Sequence, residues 1–482
     1  MDLTAREIAE IVGGDVVAGD ADARATSCAI DSRSLDAGAC FVALVAARDG
    51  HDFVGDAAAH GATVALVAHP VADQELGGLA TVVAADPLVA LGALGAHARR
   101  ALDHATVVGI TGSAGKTGTK DLAAAALGRG GTVHASPGSY NNEAGLPLTL
   151  LDAPSDVDAV VLEMGARAVG DIAALCVVAR PTVGVITNVG LAHAGPLGGP
   201  EGIARAKGEL FEALPADGLG VLDADDAATV GIAARTDARV VLVSARATPG
   251  SDVRADEVRL DGEVRPRFTM HTPWGSGPVG LSVHGEHQIV NALLAATVAL
   301  DHGVPFEAVV AGLESAHPAA WRMEVLHTPG GAVVLHDAYN ANPASTEAAL
   351  RALAQLDTNG RRVAVLGEMR ELGAYSEPEH TRIGHLVAAL GIDVLVSVGP
   401  ETKPLAAAAH ADDADIDVHV VADAPGALDA VRSVLGDDDA VLVKGSRAVG
   451  LESVAHALGA RTERPRRSGT EPVRRSGTEP VS

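Results

Sequence analysis

Val107-Val108-Gly109-Ile110-Thr111-Gly112-Ser113-Ala114-Gly115-Lys116-Thr117-Gly118-Thr119-Lys120 decides how the rest of the chain is read. An apolar, β-branched run enters a glycine-rich turn, and the turn opens into the alanine-rich segment Asp121 to Leu127. The pattern predicts strand, loop, helix. Such a loop cradles a polyphosphate: glycines let backbone N–H groups close on the anion, a lysine neutralises it, and a hydroxyl holds Mg²⁺. The common spacing G-x-x-x-x-G-K-[ST] would need glycine where Ile110 stands, and Gly109 comes one residue too early. The motif as written is Thr-Gly-Ser-Ala-Gly-Lys-Thr over 111–117. A tight turn before a helix is the plain alternative; Gly-Lys-Thr between a strand and a helix favours a nucleotide.

Outward from this loop, residues 106–317 repeat strand, loop, helix. Asp158 to Gly165 is an apolar run ending at Glu163, and Pro181 to Asn188 is another, followed by Val189 to His193. Gly202 to Leu214 reads as a helix carrying Lys207, and Leu219–Leu222 and Val240–Val243 as further strands. Apolar strands alternating with helices indicate a parallel sheet covered on both faces. Ligands of such sheets sit beyond the carboxyl ends of the strands. Thr111 to Thr117, Glu163 and Asn188 to His193 are therefore expected to meet in one crevice. Residues 252–283 alternate and carry Gly and Pro, which predicts a β-rich insertion; Gln288 to Asp301 reads as a helix beginning near Asn291.

The flanks differ. Residues 1–105 mix short strands and helices, with a helix over Leu3–Val12 capped by Thr4 and a strand over Gly38–Leu44. From about 318 to 463 the alternation restarts, with strands at Ala332–Leu335, Arg362–Leu366, Val394–Val398 and Ala440–Val443 and helices starting near Pro343, Glu377 and Ala424. The expected fold is α/β in three domains: a smaller N-terminal α/β domain (1–105), a central phosphate-loop parallel sheet (106–317) and a Rossmann-like, doubly wound C-terminal sheet (318–463). In 464–482 the string Arg-Arg-Ser-Gly-Thr-Glu-Pro-Val occurs twice in succession, polar and aperiodic, and a disordered tail is expected there.

Composition narrows the function classes. At 482 residues the chain exceeds one core, and 48% apolar residues supply several. A formal charge of −26 argues against nucleic-acid or anionic-membrane surfaces. The first residues lack a basic stretch followed by an apolar one, no run reaches membrane-spanning length, and Cys28, Cys40 and Cys176 show no metal-ligand spacing. A cytoplasmic protein with reduced thiols, not inserted in a membrane, is expected. Five lysines stand against 31 arginines. Lysines retained in so arginine-rich a chain are expected where arginine cannot substitute, which singles out Lys116, Lys207 and Lys444.

Several residues have two readings. Glu163 is a solvated strand-end carboxylate or, beside a triphosphate, a Mg²⁺ ligand. His193 is a core histidine or a site residue. Lys207 is a surface lysine on an amphipathic helix, or a buried one that loses its proton and reacts with CO₂ to become a metal-binding carboxylate. In His336-Asp337-Ala338-Tyr339-Asn340-Ala341-Asn342-Pro343 the polar residues cap a helix, or Asp337 accepts hydrogen bonds from a ribose. Arg322 is a candidate phosphate contact, and Lys444-Gly445-Ser446-Arg447 is a small basic loop suited to a carboxylate or phosphate.

In order, these motifs resemble the Mur ligase family of ATP-dependent amide-forming enzymes, whose own phosphate loop has the Thr-Gly-Ser-Ala-Gly-Lys-Thr form. The strings Asn141-Asn142-Glu143-Ala144-Gly145-Leu146-Pro147-Leu148-Thr149, Leu162-Glu163-Met164-Gly165-Ala166-Arg167, Ala206-Lys207-Gly208-Glu209-Leu210, Asp337 to Pro343 and Leu366-Gly367-Glu368-Met369-Arg370-Glu371-Leu372-Gly373 are most similar to the branch that adds D-alanyl-D-alanine to UDP-N-acetylmuramoyl-tripeptide. The resemblance runs from about residue 4 to 460. It implies that Thr111, Gly112, Ser113, Ala114, Gly115, Lys116 and Thr117 bind ATP phosphates, and that Asn291, Arg322, Asp337 and Asn340 bind the rest of the nucleotide. Thr117 and Glu163 would hold one Mg²⁺, His193 and a carbamylated Lys207 a second, with Lys116, Lys207 and His193 acting in catalysis. Ser32 and Arg33 would belong to the uridine-nucleotide domain. Asn142 and Glu143 would lie where the peptide end arrives, with Lys444, Ser446 and Arg447 also facing substrate. A monomer that closes on its substrates is implied. Competing expectations are another ligase of the superfamily, such as a single-amino-acid adder or a folylpolyglutamate synthase, and a non-catalytic ATP-binding switch.

Overall fold

The structure, a computed structural model, describes residues 1–71, 78–317 and 319–459. The expected tail, 464–482, lies outside the described residues. Besides a two-stranded pair near the N-terminus, three larger sheets of five, nine and six strands form in chain order among the described residues, each with its own apolar core.

In the nine-stranded sheet Thr106–Thr111 lies between Ala159–Glu163 and Val183–Ile186, parallel to both. The strand order then runs outward through Leu219–Asp223 and Arg239–Ser244 on one side and Val133–Ala135 on the other. Successive connections thus leave Thr106–Thr111 in opposite directions, which opens a crevice beyond its carboxyl end. The strands are buried along their length because helices cover both faces. One of these helices, Gln288–Asp301, packs on Lys116–Leu127, the helix that follows the phosphate loop. Small side chains permit close packing: a Cβ on Gly312 would fall 2.6 Å from the Ala125 carbonyl.

The expected insertion at 252–283 is instead the edge of this sheet. Val253–Leu260 continues it in parallel from Arg239–Ser244, and Pro266–Thr272 and Gly275–Gly280 add antiparallel strands. Alternation along those strands reflects one wet face, which periodicity shows equally for an edge and for a separate hairpin.

At the N-terminus the helix is Ala5–Val12, not Leu3–Val12. Thr4 caps it in a capping box with Glu7, while Leu3–Thr4 pairs as a short strand with Arg24–Ala25. The five-stranded sheet contains Ala39–Val42, narrower than the expected Gly38–Leu44. The helix Pro87–Ala101 joins this domain to the central one by packing on Gly145–Asp152, whose Leu148 and Leu151 enter the N-terminal core.

In the six-stranded sheet the order is Glu324–His327, Val333–His336, Ala440–Lys444, Arg362–Gly367, Val394–Val398 and Asp417–Val421, parallel except for the first. Helices start at Pro343, Ser376 and Ala424 as expected to within a residue, and Lys403–Asp412 and Glu452–Leu458 are two further helices that were not expected.

Candidate active site

The three domains surround one cavity of about 1230 Å³ at the carboxyl end of Thr106–Thr111. Its floor is the loop Gly112–Thr117. Gly112 and Gly115 take φ of +154° and +82°, and a Cβ there would lie 1.8 Å from Thr187 Oγ1 and 2.6 Å from Asn291 Oδ1. Glycine is therefore required at both for conformation and for space. Asn188 braces the loop: its Oδ1 accepts the Ala114 N–H at 2.9 Å, and its Nδ2 donates to the Ala114 carbonyl at 3.1 Å.

Lys116 Nζ folds back to donate to the Gly112 carbonyl at 2.8 Å. Burial pulls its pKa below the usual lysine value, nearby Glu163 opposes the shift, and Arg322 adds to it. Glu163 is 1% exposed and accepts from Thr117 Oγ1 at 2.6 Å and Asn141 Nδ2 at 2.8 Å. Both partners are neutral, and no side-chain cation pairs with Glu163 within ion-pair distance among the described residues. A buried carboxylate beside a hydroxyl, short of a cation, is a donor set that fits Mg²⁺.

Lys207, on the helix Pro200–Glu212, is 3% exposed, and no hydrogen bond or ion pair reaches its Nζ among the described residues. Burial, aided by Lys116, holds its pKa well below the ordinary value. The surface-lysine reading is thereby excluded. His193 lines the same cavity, with a left-handed backbone (φ +59°), and its Nδ1 bonds the Glu371 carboxylate of the C-terminal domain. Burial lowers its pKa and Glu371 opposes the shift.

Asn291, Arg322, Asp337 and Asn340 also line the cavity, as do Asn142 and Glu143. Arg322 stacks its guanidinium on Tyr339, 4.1 Å from the ring centre. Lys444 Nζ pairs with Asp337 Oδ2 at 2.6 Å and donates to the Asn340 carbonyl at 2.9 Å. Two residues expected in different roles thus form one buried unit. Arg447 lines the cavity and lies over Trp321, 4.4 Å from its centre.

Four expected residues lie elsewhere. Thr111 is fully buried beneath the loop, at the end of its strand, and does not line the cavity. Ser446 is turned inward, accepting the Arg370 N–H at 2.9 Å. Ser32 and Arg33 lie in the N-terminal domain away from this cavity, with Arg33 paired to Asp31 at 2.7 Å.

Residues 110–299 match the Mur ligase middle domain, and residues 321–447 match the Mur ligase glutamate ligase domain. The chain belongs to the Mur ligase family. It is 44% identical to the UDP-N-acetylmuramoyl-tripeptide–D-alanyl-D-alanine ligase of Mycobacterium tuberculosis, over 95% of this chain and 98% of that protein. The crystal structure of MurF from Acinetobacter baumannii is similar with a TM-score of 0.84 and 32% identity, over 95% of this chain and 99% of that one. MurF ligase from Thermotoga maritima, solved in complex with ADP, has a TM-score of 0.75 and 26% identity, over 90% and 96% of the two chains.

This Mur ligase also has cavity residues that the sequence reading did not single out. Asn141 holds Glu163, Asn342 Nδ2 donates to the Ser113 carbonyl at 3.2 Å, and the Ser139 and Tyr339 hydroxyls meet across the domain boundary. Asn141 and Asn342 stand inside the quoted strings, but their roles depend on partners 22 and 229 residues away. In Ala206 to Leu210 the conspicuous Glu209 does not face the cavity: it accepts the Gly170 and Ala173 N–H groups at 2.6 and 3.0 Å, capping Asp171–Ala179.

Proposed function

We propose that this Mur ligase joins D-alanyl-D-alanine to UDP-N-acetylmuramoyl-tripeptide with consumption of ATP, giving the pentapeptide precursor of peptidoglycan, ADP and phosphate. The observation that carries the reading is one cavity shared by all three domains, in a chain similar over nearly its whole length to ligases of that name. On this reading residues 1–105 hold the uridine nucleotide, 106–317 the ATP, and 318–463 close over it.

A peptide carboxylate is a poor electrophile. Transfer of the γ-phosphoryl group to it forms an acyl phosphate and releases ADP. The amine of D-alanyl-D-alanine adds to the acyl carbon, and the tetrahedral intermediate expels phosphate and loses a proton. The anions must meet at close range, so the site's main work is charge stabilisation and positioning. The N–H groups of Gly112–Thr117 and the Lys116 ammonium receive the phosphates. Asn291, Arg322, Asp337 and Asn340 hold the rest of the nucleotide, and Asn142, Glu143, Lys444 and Arg447 face the peptide partners. Thr117 and Glu163 would hold one Mg²⁺ and His193 with Lys207 a second; bound there, Mg²⁺ screens the charge the reactants share.

For Lys207 to serve, its amine must become anionic. The neutral amine adds CO₂, loses a proton and becomes a carbamate. Supporting this are its burial, its free Nζ and its lowered pKa. No helix among the described residues is long and apolar enough to cross a membrane. With buried, unbridged Cys28, Cys40 and Cys176, a cytoplasmic monomer is the reading we favour, to be checked by light scattering.

Phosphate release assayed across amines tests the proposal. Turnover with UDP-N-acetylmuramoyl-tripeptide that requires D-alanyl-D-alanine supports it. Preference for a single amino acid or for glutamate places the enzyme elsewhere in the superfamily, and ATP binding without substrate-dependent turnover makes it a switch.

A further inference from the structure

The string Leu366 to Gly373 has two acids without a part in the reaction, Glu368, which pairs with Arg370 inside its own domain, and Glu371. Glu371 follows the strand Arg362–Gly367 of the C-terminal domain, yet both of its acceptors serve the central domain. Its carboxylate bonds His193 Nδ1, and its carbonyl accepts the Gly195 N–H at 2.9 Å. Among the described residues it forms no other ion pair, since the adjacent Arg370 is taken by Glu368 at 2.9 Å.

The seam around this contact is built for close approach. His193 and Glu371 are both non-glycine residues in the left-handed region, with φ of +59° and +63°. Such backbone persists where its surroundings over-determine it, and it clusters at functional sites. Here the surroundings are two interlocked turns. A Cβ on Gly195 would sit 3.1 Å from the Gly373 nitrogen, and one on Gly373, itself at φ +59°, would sit 2.9 Å from the Gly195 Cα. Two strained residues and two bare glycines thus bring one carboxylate to one imidazole.

We infer that Glu371 is a positioning residue of the ligase: by accepting the Nδ1–H of His193 across the domain boundary, it leaves Nε2 as the free nitrogen toward the cavity. Closure of the C-terminal domain thereby completes the His193–Lys207 cation site. Histidine ligands commonly donate their second ring N–H to a carboxylate, which fixes tautomer and ring orientation and strengthens the ligand. Here that carboxylate comes from a different domain, so the orientation of His193 is tied to the docking of that domain. The inference rests on the ligase reading for the purpose of the cation, but its contact stands on geometry alone.

The test is Mn²⁺ titration of the full-length protein, followed by electron paramagnetic resonance, with a non-hydrolysable ATP analogue and UDP-N-acetylmuramoyl-tripeptide present. In Glu371→Ala the weaker of two Mn²⁺ sites is expected to lose about 10–100-fold in affinity, while the tighter one stays within about twofold of wild type. Glu371→Gln, which still accepts the Nδ1–H, restores most of the loss, and Glu371→Ala has no further effect in a His193→Ala background. Wild-type affinity in Glu371→Ala, equal weakening of both sites, or a single Mn²⁺ site in the wild type overturns the inference. Failure of the ligase reading shows separately, as wild-type phosphate release that does not require D-alanyl-D-alanine.

Discussion

Replacing Asp337 by alanine removes the ion-pair partner of Lys444. In the folded protein the Lys444 side chain is 2% exposed and that of Asp337 13%, with Nζ and Oδ2 2.6 Å apart. The ammonium retains only the Asn340 carbonyl at 2.9 Å among its described partners. Removing one partner of such a pair strands a buried charge and costs about 3–5 kcal/mol, several times the worth of an exposed pair. For a domain of this size that lowers the melting temperature by roughly 2–4 °C per kcal/mol, or about 6–20 °C in all. Lys444→Met is expected to cost less, because the Asp337 carboxylate keeps some solvent and the Met323 N–H at 3.2 Å. Asp337→Leu with Lys444→Met together should return to within about 1–2 kcal/mol of wild type, since an apolar pair of similar volume needs no partner. Scanning calorimetry of the four proteins without nucleotide reads these terms apart from ATP binding. A loss below about 1 kcal/mol in Asp337→Ala, or a double variant no more stable than that single one, refutes the claim that Asp337 holds Lys444.

Other expectations follow from single contacts. Lys207→Arg cannot form a carbamate and should lose at least about 100-fold in kcat, with partial recovery from added short carboxylates; full activity in that variant, with or without CO₂, removes the carbamate from the mechanism. Gly112→Ala drives a methyl to 1.8 Å from Thr187 Oγ1, so equilibrium binding of an ATP analogue should weaken by at least about tenfold, and unchanged binding would mean the loop is not the phosphate site. Asp223 is 8% exposed and burial pushes its pKa up to about 7. The folded state then keeps a proton that the unfolded state has lost, so this group lowers stability progressively from about pH 4 to pH 7, after which the penalty is constant. Asp223→Asn keeps the acceptor for the Asp225 N–H and should raise stability by about 2–4 kcal/mol at pH 8 but little at pH 4; a gain that does not grow with pH would contradict this.

Much of the site was legible because its parts follow strand ends. Gly112–Thr117 and His193 follow two neighbouring strands and Glu163 ends the third, and a parallel sheet aligns the carboxyl ends of neighbouring strands. The retained lysines carried information as well. Lys116 and Lys207 face the cavity, and Lys444 lies at the end of its strand, paired with Asp337. Thr111 was misplaced because the strand runs one residue further than the turn chemistry suggests, which buries its side chain. Ser446 was misplaced because a basic loop does not disclose which of its side chains turns inward.

Consecutive residues were enough for the strand–loop–helix at 106–127, the parallel α/β architecture and the glycine-rich loop that floors the cavity. These depend on local conformation and on period, which are written in consecutive residues. Tertiary structure alone decided the pairings across the chain: Asn342 on the Ser113 carbonyl, Tyr339 against Ser139, Lys444 with Asp337 and Glu371 with His193. Each joins groups more than 100 residues apart. Such contacts carry no local signature, because their energy comes from burial and geometry that exist only after separate cores have formed and docked.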